Sequence, residues 1–471
     1  MEKGQSSLYV IGLTFVATLG GLLFGYDTAV ISGTVSSLEK FFVEPMGLTE
    51  TLANSWLGFL VSSALIGCII GGLSGGYVSN KLGRRNGLII AGTLFFISAL
   101  GSAMPEMLFK PIGQGDHTFI WHFIFFRFIG GVGVGMASML SPMYIAEIAP
   151  ARMRGRLVAL NQFAIIFGML VVYFVNYGIA LQGDESWLHT IGWRWMFASE
   201  LVPCTLFLFF LLFVPETPRF LVLKNRDEEA LKILSKVNGK NIAGNILADI
   251  KGTVESHSGK ILSYGIAIVV IGVLLSVFQQ FVGINVVLYY APEIFKNMGS
   301  GTDTALLQTI IVGIINLSFT VVAILTVDKF GRKPLMIIGA LGMGFFMFSL
   351  GFSFYFNLLG FASLIFMLGY VASFAVSWGP VVWVLLSEIF PNSIRGKVMA
   401  IAVAAQWIAN YLVSWTFPMM DKSSFLIEKF NHGFAYWIYG LMAVIAAVFV
   451  WRFVPETKGK TLEDMEALWK K

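Results

Sequence analysis

Three amide side chains lie close together inside one long apolar stretch of the chain. Gln279, Gln280 and Asn285 fall within residues 276–290, and Gly283 lies between them. An amide without a hydrogen-bond partner in hydrocarbon costs a few kcal/mol, so three of them predict a water-accessible cavity within the membrane. Each amide both donates and accepts hydrogen bonds. The ligand expected there is therefore polar and uncharged, such as a sugar.

Adjacent amides cannot both serve the same helix contact. Successive residues of a helix point about 100° apart, so Gln279 and Gln280 face different neighbours. Single amides elsewhere in apolar runs either bond neighbouring helices together or line the cavity, and the residue types alone leave both interpretations open. Two tryptophans would stack on the apolar faces of a sugar ring. These further candidates are Gln162, Asn316, Gln406, Trp383 and Trp407.

The same apolar run contains two residues that interrupt helices. Gly283 and Pro292 lie on either side of Asn285. A break here would expose Asn285 and form a lid over the cavity on the extracellular side.

Charged side chains also lie inside apolar runs. Asp27 falls in the first run, where an ionised carboxylate costs roughly 2.5–3.5 kcal/mol at the membrane centre. Arg127, in the fourth run, stays charged and is the expected partner. We expect Asp27 to be ionised beside Arg127 and to bind a proton when the two separate, which would couple a proton to the ligand; a structural ion pair is the alternative. Glu200 is either an acceptor for Arg127 or a direct proton carrier.

The composition is that of a membrane protein with many spans. Of the 471 residues, 56% are hydrophobic and only 13% are charged, against about 25% charged in typical soluble domains. The net charge of +5 comes from short basic clusters, a pattern typical of membrane orientation signals rather than of a nucleic-acid surface. Cys68 and Cys204 both fall in apolar runs, so neither a disulfide nor a metal site is expected.

Twelve apolar runs are long enough to cross a bilayer as helices. A charged, amphipathic segment separates the first six from the last six. We predict an N-terminal six-helix bundle over 1–221, a cytoplasmic helical linker over 222–260, a C-terminal six-helix bundle over 261–455 and a cytoplasmic tail over 456–471. The predicted spans lie near 8–33, 54–79, 86–104, 119–145, 157–181, 193–214, 262–296, 304–326, 334–356, 361–389, 397–419 and 433–454.

Basic residues mark one side of the predicted membrane domain. They follow the second, fourth, eighth, tenth and twelfth runs, which places all of them on the same side. By the positive-inside rule this side is cytoplasmic, so both termini are expected inside. The clusters are Lys81, Arg84 and Arg85; Arg152, Arg154 and Arg156; Lys329, Arg332 and Lys333; Arg395 and Lys397; and Lys458, Lys460, Lys470 and Lys471.

The two predicted bundles carry the same motifs in the same order. Residues 80–85 (NKLGRR) match residues 328–333 (DKFGRK), and Glu147 with its following RGR matches Glu388 with its following RGK. The tetrapeptide VPET after the sixth run recurs after the twelfth. Three collinear pairs indicate a duplicated unit, with two parallel bundles related by an axis along the membrane normal.

These loop motifs are similar to those of the sugar porter family of the major facilitator superfamily. Residues 20–28 (GGLLFGYDT), 279–285 (QQFVGIN) and 378–383 (WGPVVW) resemble the proton-coupled xylose symporters of that family in particular. The resemblance runs from about residue 8 to residue 469. It implies a major facilitator fold, that is, an all-α polytopic membrane protein with 12 transmembrane helices in two pseudo-symmetric six-helix bundles.

The resemblance implies proton-coupled import of a monosaccharide, D-xylose being the expected sugar, by alternating access across the cytoplasmic membrane of a bacterium. A proton-independent uniporter and a glucose- or galactose-preferring symporter remain as alternatives. A sugar sensor that does not transport is the alternative from another class, although the short tail disfavours it. The implied proton-coupling residues are Asp27, Arg127 and Glu200, and the implied pocket residues are Phe24, Gln162, Gln279, Gln280, Asn285, Tyr289, Asn316, Trp383, Gln406 and Trp407.

One position departs from the xylose symporters. Where their fifth span reads FGQ, this chain has Phe167, Gly168 and Met169. Mammalian glucose facilitators are similar to this chain there, because they also carry an apolar residue. Met169 is therefore the specificity candidate.

Charged residues of the cytoplasmic loops are expected to pair across the two bundles, closing the inner side in the outward-open state and separating when it opens. The alternative is that they only hold the topology by charge. No enzyme, cofactor or metal site is predicted, and the glycine strings at 71–76 and 130–135 are expected to allow close helix packing. The expected partners are a monosaccharide, a proton and the lipid bilayer, and a monomer is expected. The gate candidates are Arg84, Arg85, Glu147, Arg154, Glu216, Arg219, Arg332, Glu388 and Arg395.

Overall fold

The computed structural model describes residues 7–150, 153–254, 264–391 and 394–458. Within these ranges the chain is almost wholly helical and contains no strand. The predicted all-α class is confirmed. Most of the predicted cytoplasmic tail, from residue 459 onward, lies outside the described residues.

The described chain contains 12 helical segments that are long and apolar enough to cross a membrane, as the hydropathy pattern predicts. Six precede the linker and form what we call the N-terminal half. The longest, Glu50–Leu82, has 33 residues and extends beyond its predicted bounds at both ends. The helices of this half are α1 (Ser7–Val30), α2 (Val35–Leu38), α3 (Glu50–Leu82), α4 (Arg84–Ala103), α5 (Ile120–Ile148), α6 (Arg154–Ala180), α7 (Glu185–Trp187), α8 (Trp193–Ala198) and α9 (Leu201–Leu211).

Three short helices follow the N-terminal half. They are α10 (Pro218–Leu223), α11 (Asp227–Asn238) and α12 (Lys240–Val254). Acidic residues occupy the first turn of α11, where the positive end of the helix dipole stabilises their negative charge. Its apolar face, which includes Ala230 and Leu234, is buried, as expected for the amphipathic pattern of this segment.

The six later spans form the C-terminal half. As in the N-terminal half, long helices alternate with divided ones. The last two helices are joined by a turn at Asn431 and His432, both at positive φ. The helices are α13 (Ile266–Phe281), α14 (Ile284–Asn297), α15 (Thr302–Phe330), α16 (Arg332–Tyr355), α17 (Phe361–Ala375), α18 (Trp378–Ile389), α19 (Arg395–Asp421), α20 (Ser424–Phe430) and α21 (Phe434–Phe453).

Glycines bring α3 and α5 into backbone contact. A Cβ atom on Gly131 would lie 1.7 Å from the carbonyl oxygen of Ala64, and one on Gly67 would lie 2.1 Å from that of Phe128. No side chain fits at either position. The glycine strings thus act in helix packing, as the sequence predicts.

The seventh span is divided at Gly283, as predicted. Gly283 has φ +89° and separates α13 from α14. Pro292, in contrast, lies inside α14 without ending it, so the glycine alone makes the break. The tenth span is divided in the same manner, since α17 ends at Ala375 and α18 begins at Trp378.

The two halves are joined at the end of the molecule opposite the basic loops. Glu39 of the N-terminal half forms an ion pair with Lys422 of the C-terminal half, and Glu50 accepts hydrogen bonds from the backbone and hydroxyl of Ser424. Nearer the middle of the membrane, the Tyr173 hydroxyl donates to the Leu288 carbonyl at 3.0 Å. The hydrogen bonds between the halves, among the described residues, all lie on this side of the molecule. The structure is therefore closed here.

Candidate functional site

Gln279 lies where α13, α18 and α19 meet. It is only 2% exposed, and its amide donates to the carbonyl oxygens of Trp378 at 2.9 Å and Gly379 at 3.2 Å. Gln406 of α19 donates to the Gln279 side-chain oxygen at 2.8 Å. Both carbonyls belong to the first turn of α18, directly after the break at Ser377.

The break at Gly283 adds two more amides to this group. Asn285 donates to the Gln280 oxygen at 2.5 Å, and Gln280 donates to Gln279 at 3.4 Å. We call Gln279, Gln280, Asn285 and Gln406 the amide cluster. The side-chain oxygen of Gln406 is buried and has no donor among the described residues. The cluster therefore retains an acceptor in a position where water is excluded.

Aromatic side chains flank the amide cluster. The rings of Phe24 in α1 and Trp407 in α19 lie 5.7 Å apart across the two halves. The Tyr289 hydroxyl, on α14, accepts from Asn410 at 3.4 Å, and the Ser414 hydroxyl donates to the Asn410 oxygen at 3.1 Å. The residue types alone do not single out Asn410, because it lies four residues after Gln406 in an ordinary helical register.

Three predicted pocket residues are not bonded to the amide cluster. Asn316 is buried, whereas Gln162 and Trp383 are partly exposed. No described hydrogen bond joins any of them to the cluster. Their amide and indole groups thus remain available to another partner.

Met169 lies on the same face of α6 as Gln162, because the two are seven residues, or about two turns, apart. It is buried. A Cβ atom on Gly25 would lie 1.8 Å from the Ile165 carbonyl oxygen and 3.1 Å from the Met169 nitrogen, so α1 and α6 touch backbone to backbone here. Met169 is therefore fixed beside the helix that carries Phe24 and Asp27.

Asp27 and Arg127 form an ion pair inside the N-terminal half. Arg127 Nη1 donates to Asp27 Oδ1 at 2.7 Å, and Nη2 donates to the Asp27 backbone oxygen at 3.2 Å. Both side chains are almost completely buried, as the sequence predicts for a paired charge in a span. The second Asp27 oxygen has no donor among the described residues.

Glu200 is fully buried just before α9. Asp27 and Arg127 are the charged groups that act on it, and neither of its oxygens has a donor among the described residues. The adjacent Ser199 bonds the Tyr26 hydroxyl at 2.7 Å, which fixes this turn against α1. The three charged residues singled out in the sequence thus form one group.

The cytoplasmic gate residues pair within the N-terminal half in this conformation, which is open on their side. Pairing across the two bundles is expected only where that side is closed, so it stays a prediction. Arg84 pairs with Glu147 at 2.7 Å, and the carboxylate of Glu216 accepts from the backbone N–H groups of Arg84 and Arg85. All four belong to the N-terminal half or to the segment that directly follows α9. Glu216 is a favourable acceptor at this position, since the first N–H groups of a helix require partners and favour negative charge.

The C-terminal half repeats this arrangement. Arg332 pairs with Glu388 at 2.7 Å, and Glu456 accepts from the backbone N–H groups of Arg332 and Lys333. In this conformation the gate residues with described ion pairs therefore pair within each half. Arg154 and Arg219 are exposed, and the side chain of Arg395 lies outside the described residues.

Twelve spans in two similar halves, with buried polar groups inside each half, define a membrane transporter of the major facilitator fold. The chain belongs to the sugar (and other) transporter family, whose model matches residues 13–469. It is 62% identical to the D-xylose-proton symporter of Escherichia coli (strain K12), over 100% of this chain and 97% of that protein. It is 43% identical to the glucose facilitated diffusion protein of Zymomonas mobilis, over 100% of this chain and 99% of that protein.

Solved structures agree with this family. The partially occluded inward-open conformation of the xylose transporter XylE from E. coli matches with a TM-score of 0.89 and 61% identity, covering 97% of this chain and 100% of that one. The proton:xylose symporter XylE bound to 6-bromo-6-deoxy-D-glucose matches with a TM-score of 0.85 and 63% identity, covering 98% and 99%. The better match to an inward-open form agrees with the closure found opposite the basic loops.

Proposed function

We propose that this chain is a proton-coupled symporter that imports D-xylose by alternating access. The observation that carries the proposal is the buried pair of Asp27 and Arg127 in the N-terminal half, 2.7 Å apart, together with the amide cluster in the C-terminal half. The 62% identity to a protein named D-xylose-proton symporter supports the same function. Binding and conformational change suffice for this activity, so no covalent chemistry and no cofactor are proposed.

The proton is proposed to bind at Asp27. While Arg127 donates to it, the carboxylate is stabilised as an anion. When the halves rearrange and the pair separates, an ionised Asp27 would be left buried and unpaired, which is strongly unfavourable. Binding a proton removes this cost, and Glu200, which has no donor of its own among the described residues, would share or relay that proton.

The sugar is proposed to bind against the amide cluster. Gln279, Gln280, Asn285 and Gln406 offer donors and acceptors already oriented by one another, and preorganised groups lose less entropy on binding. Gln162 and Asn316 would add hydrogen bonds, and the aromatic residues Phe24, Tyr289, Trp383 and Trp407 would cover the apolar faces of the ring.

The two halves are proposed to rock as units. We infer that residues 1–221 and 261–455 move around the sugar, with 222–260 as a cytoplasmic linker and 456–471 as a cytoplasmic tail. The basic loops would then face the cytoplasm of a bacterium across its inner membrane, with both termini inside. The working form is proposed to be a monomer, because each chain contains a complete proton and sugar site.

Met169 supports a second candidate, a symporter that prefers glucose or galactose. A thioether offers only a weak acceptor where an amide would donate and accept. A uniporter remains distinct from both, because its sugar flux would carry no proton. A sensor without transport would bind sugar but show no flux.

Sugar-driven proton flux in proteoliposomes tests these alternatives. Adding D-xylose, D-glucose or D-galactose outside should acidify the lumen, and most strongly for D-xylose. Asp27→Asn should abolish this flux and uphill accumulation while preserving exchange of labelled sugar at equal concentrations. An Asp27→Asn protein that still concentrates sugar would contradict the proton site. Sugar flux without proton flux in the parent would favour the uniporter.

A further inference from the structure

The first span breaks near its outer end, the end opposite the basic loops. Its helix α1 ends at Val30 and is followed by a short 3₁₀ helix, Ile31–Gly33. The backbone N–H of Thr34 donates to the Ile31 carbonyl at 2.9 Å, whereas a continuous α-helix would direct it to the Val30 carbonyl. The break therefore withdraws from Val30 the donor that a helix would supply.

Asn176 of α6 replaces this donor. Its side-chain nitrogen donates to the Val30 carbonyl at 3.2 Å, and the side chain is fully buried. The side-chain oxygen has no hydrogen-bond partner among the described residues, so within that part of the chain the bond to Val30 alone orients the amide. Because a buried backbone carbonyl requires a donor, Asn176 stabilises the broken end of the first span from the neighbouring helix.

Gly33 fixes the distance between the 3₁₀ helix and α6. A Cβ atom added to Gly33 would lie 2.6 Å from the Asn176 side-chain nitrogen and 2.9 Å from the Asn176 Cβ. A larger residue would have to displace the amide. Residues Ile31–Gly33 are therefore held at a defined position on α6.

Helix α14 of the C-terminal half packs at the same place. It contacts the 3₁₀ helix Ile31–Gly33, and its Leu288 carbonyl accepts from the Tyr173 hydroxyl at 3.0 Å. Tyr173 and Asn176 are three residues apart, so they share a face of α6. This one face therefore bonds the first span through Asn176 and α14 through Tyr173.

The position of α14 also affects the amide cluster. Asn285 lies in the first turn of α14 and bonds Gln280, and Leu288 follows it by three residues. A helix moves as a rigid element, so α14 cannot leave Tyr173 without displacing Asn285. The contact with the 3₁₀ helix is thus linked to the proposed sugar site.

We propose that Asn176 is a positioning residue for transport, which holds Ile31–Gly33 as the seat on which α14 closes the outer side over the sugar. This inference rests on the proposed function, because it assigns α14 the part of a lid. Without the amide, the Val30 carbonyl loses its donor and the seat can move away from α14. The closed state of the outer side then loses stability relative to the open state, in which α14 has left the seat.

Distances between spin labels on the outer side of the purified full-length protein test this role. Asn176→Leu keeps a similar volume but removes the donor. With labels attached to Thr51→Cys and Glu428→Cys, double electron–electron resonance should show the ratio of open to closed molecules rising by a factor of about two to twelve, which corresponds to one hydrogen bond. Gly33→Ala, whose Cβ would displace the Asn176 amide, should shift the ratio in the same direction and serves as the test if Asn176→Leu does not fold.

Asn161→Leu is the matched control. Asn161 is a buried asparagine of α6 that also faces a glycine of α1, since a Cβ atom on Gly21 would lie 2.6 Å from Asn161 Oδ1. It lies about 22 Å from Asn176 along the helix, toward the basic loops and away from the outer side. Its substitution should leave the label distances unchanged.

A purely structural role of Asn176 gives a different result. The thermal unfolding midpoint of Asn176→Leu would fall while the ratio of open to closed molecules stayed the same, and this result would overturn the proposal. An equal shift in Asn161→Leu would also overturn it, because any buried asparagine of α6 would then act alike. The distances are recorded without sugar or a proton gradient, so this outcome is separate from that of the transport assays.

Discussion

Met169 is proposed to face the sugar, where its thioether would limit the hydrogen bonds that this side of the pocket can offer. Replacing it with Gln adds an amide on the face of α6 that carries Gln162. One hydrogen bond of roughly 0.5–1.5 kcal/mol corresponds to about a twofold to twelvefold change in affinity. We therefore expect Met169→Gln to lower the KM for D-xylose by that factor in uptake assays.

Met169→Leu is the control for this substitution, because it keeps an apolar side chain of similar volume. It should leave the KM for D-xylose within about twofold of the parent value. If the Leu and Gln variants bind D-xylose equally well, Met169 does not face the sugar.

His432 makes the stability of the structure depend on pH. Its ring bonds Asp421 at 3.1 Å, and this hydrogen bond raises the pKa of His432 above its usual value although partial burial opposes the shift. A raised pKa in the folded state adds stability that is fully present below the unfolded pKa, near 6.5, and is lost as the pH rises through the folded value. The thermal unfolding midpoint should therefore fall as the pH increases above about 6.5.

His432→Gln should flatten this part of the pH profile, measured by thermal unfolding in detergent. His117→Gln is the matched control, because His117 lies at the same end of the molecule and forms no ion pair with a described residue. A profile unchanged by His432→Gln would assign the pH dependence to other groups.

Single residues show the limit of prediction from the sequence. The types and positions of Asp27 and Arg127 suffice to predict their pairing, since a buried charge requires a partner. Gln279 is different, because its amide donates to the carbonyl oxygens of Trp378 and Gly379. Every residue has a carbonyl, so no residue type reveals which one will accept a hydrogen bond from Gln279.

At the scale of helices, Gly283 sets the angle between α13 and α14. A residue with a Cβ atom would have to adopt the left-handed conformation there, which costs roughly 1–2 kcal/mol, and the Cβ would lie 2.6 Å from the Tyr439 ring. We expect Gly283→Ala to lower the unfolding midpoint and the transport rate together. Thermal unfolding and initial-rate uptake would measure the two effects.

Gly299→Ala isolates the conformational part of this effect. Gly299 has φ +94°, but a Cβ atom added to it would have no neighbouring atom within 4 Å, so its substitution should cost the backbone strain alone. Equal losses in the two variants would show that the Tyr439 contact and the position of α14 do not matter for transport.

The helices could be predicted from hydropathy, whereas the loop contacts could not. Apolar length fixes a span because an unbonded backbone cannot cross hydrocarbon. The charges of the basic loops carry no comparable constraint, and in this conformation Glu216 meets the N-terminus of α4. Opposite charge indicates that a residue will pair, but the neighbouring helix end selects the partner.

At the scale of the whole molecule, polar contacts between the halves hold the closed end together. The pair of Glu39 and Lys422 and the bonds from Ser424 to Glu50 join the halves. Partly exposed ion pairs contribute about 0.2–1 kcal/mol each, so Lys422→Gln with Glu50→Gln should shift the conformational equilibrium toward opening at this end by a factor of a few. Spin labels attached to Thr51→Cys and Glu428→Cys should then lie farther apart, as measured by double electron–electron resonance.

Lys110→Gln is the control for this experiment. It breaks an ion pair with Asp116 at the same end but within the N-terminal half. The distance distribution between the labels should not change. A similar shift in this control would attribute the effect to surface charge in general.

The sequence predicts that the halves are duplicates but not which end is closed. Motif pairs such as residues 80–85 and 328–333 record the duplication directly. The inward-open and outward-open states share every residue, and their populations differ by small free energies spread over many contacts. No motif can carry that difference.

The bonds between the two halves lie at one end of the molecule in this conformation. Glu216 and Glu456 satisfy the helix starts of their own halves, so among the described residues the open end holds no bond between the halves, while the closed end holds several. Leaving this conformation therefore requires the bonds at the closed end to break, and we expect the rate of that opening to depend on how many of them remain.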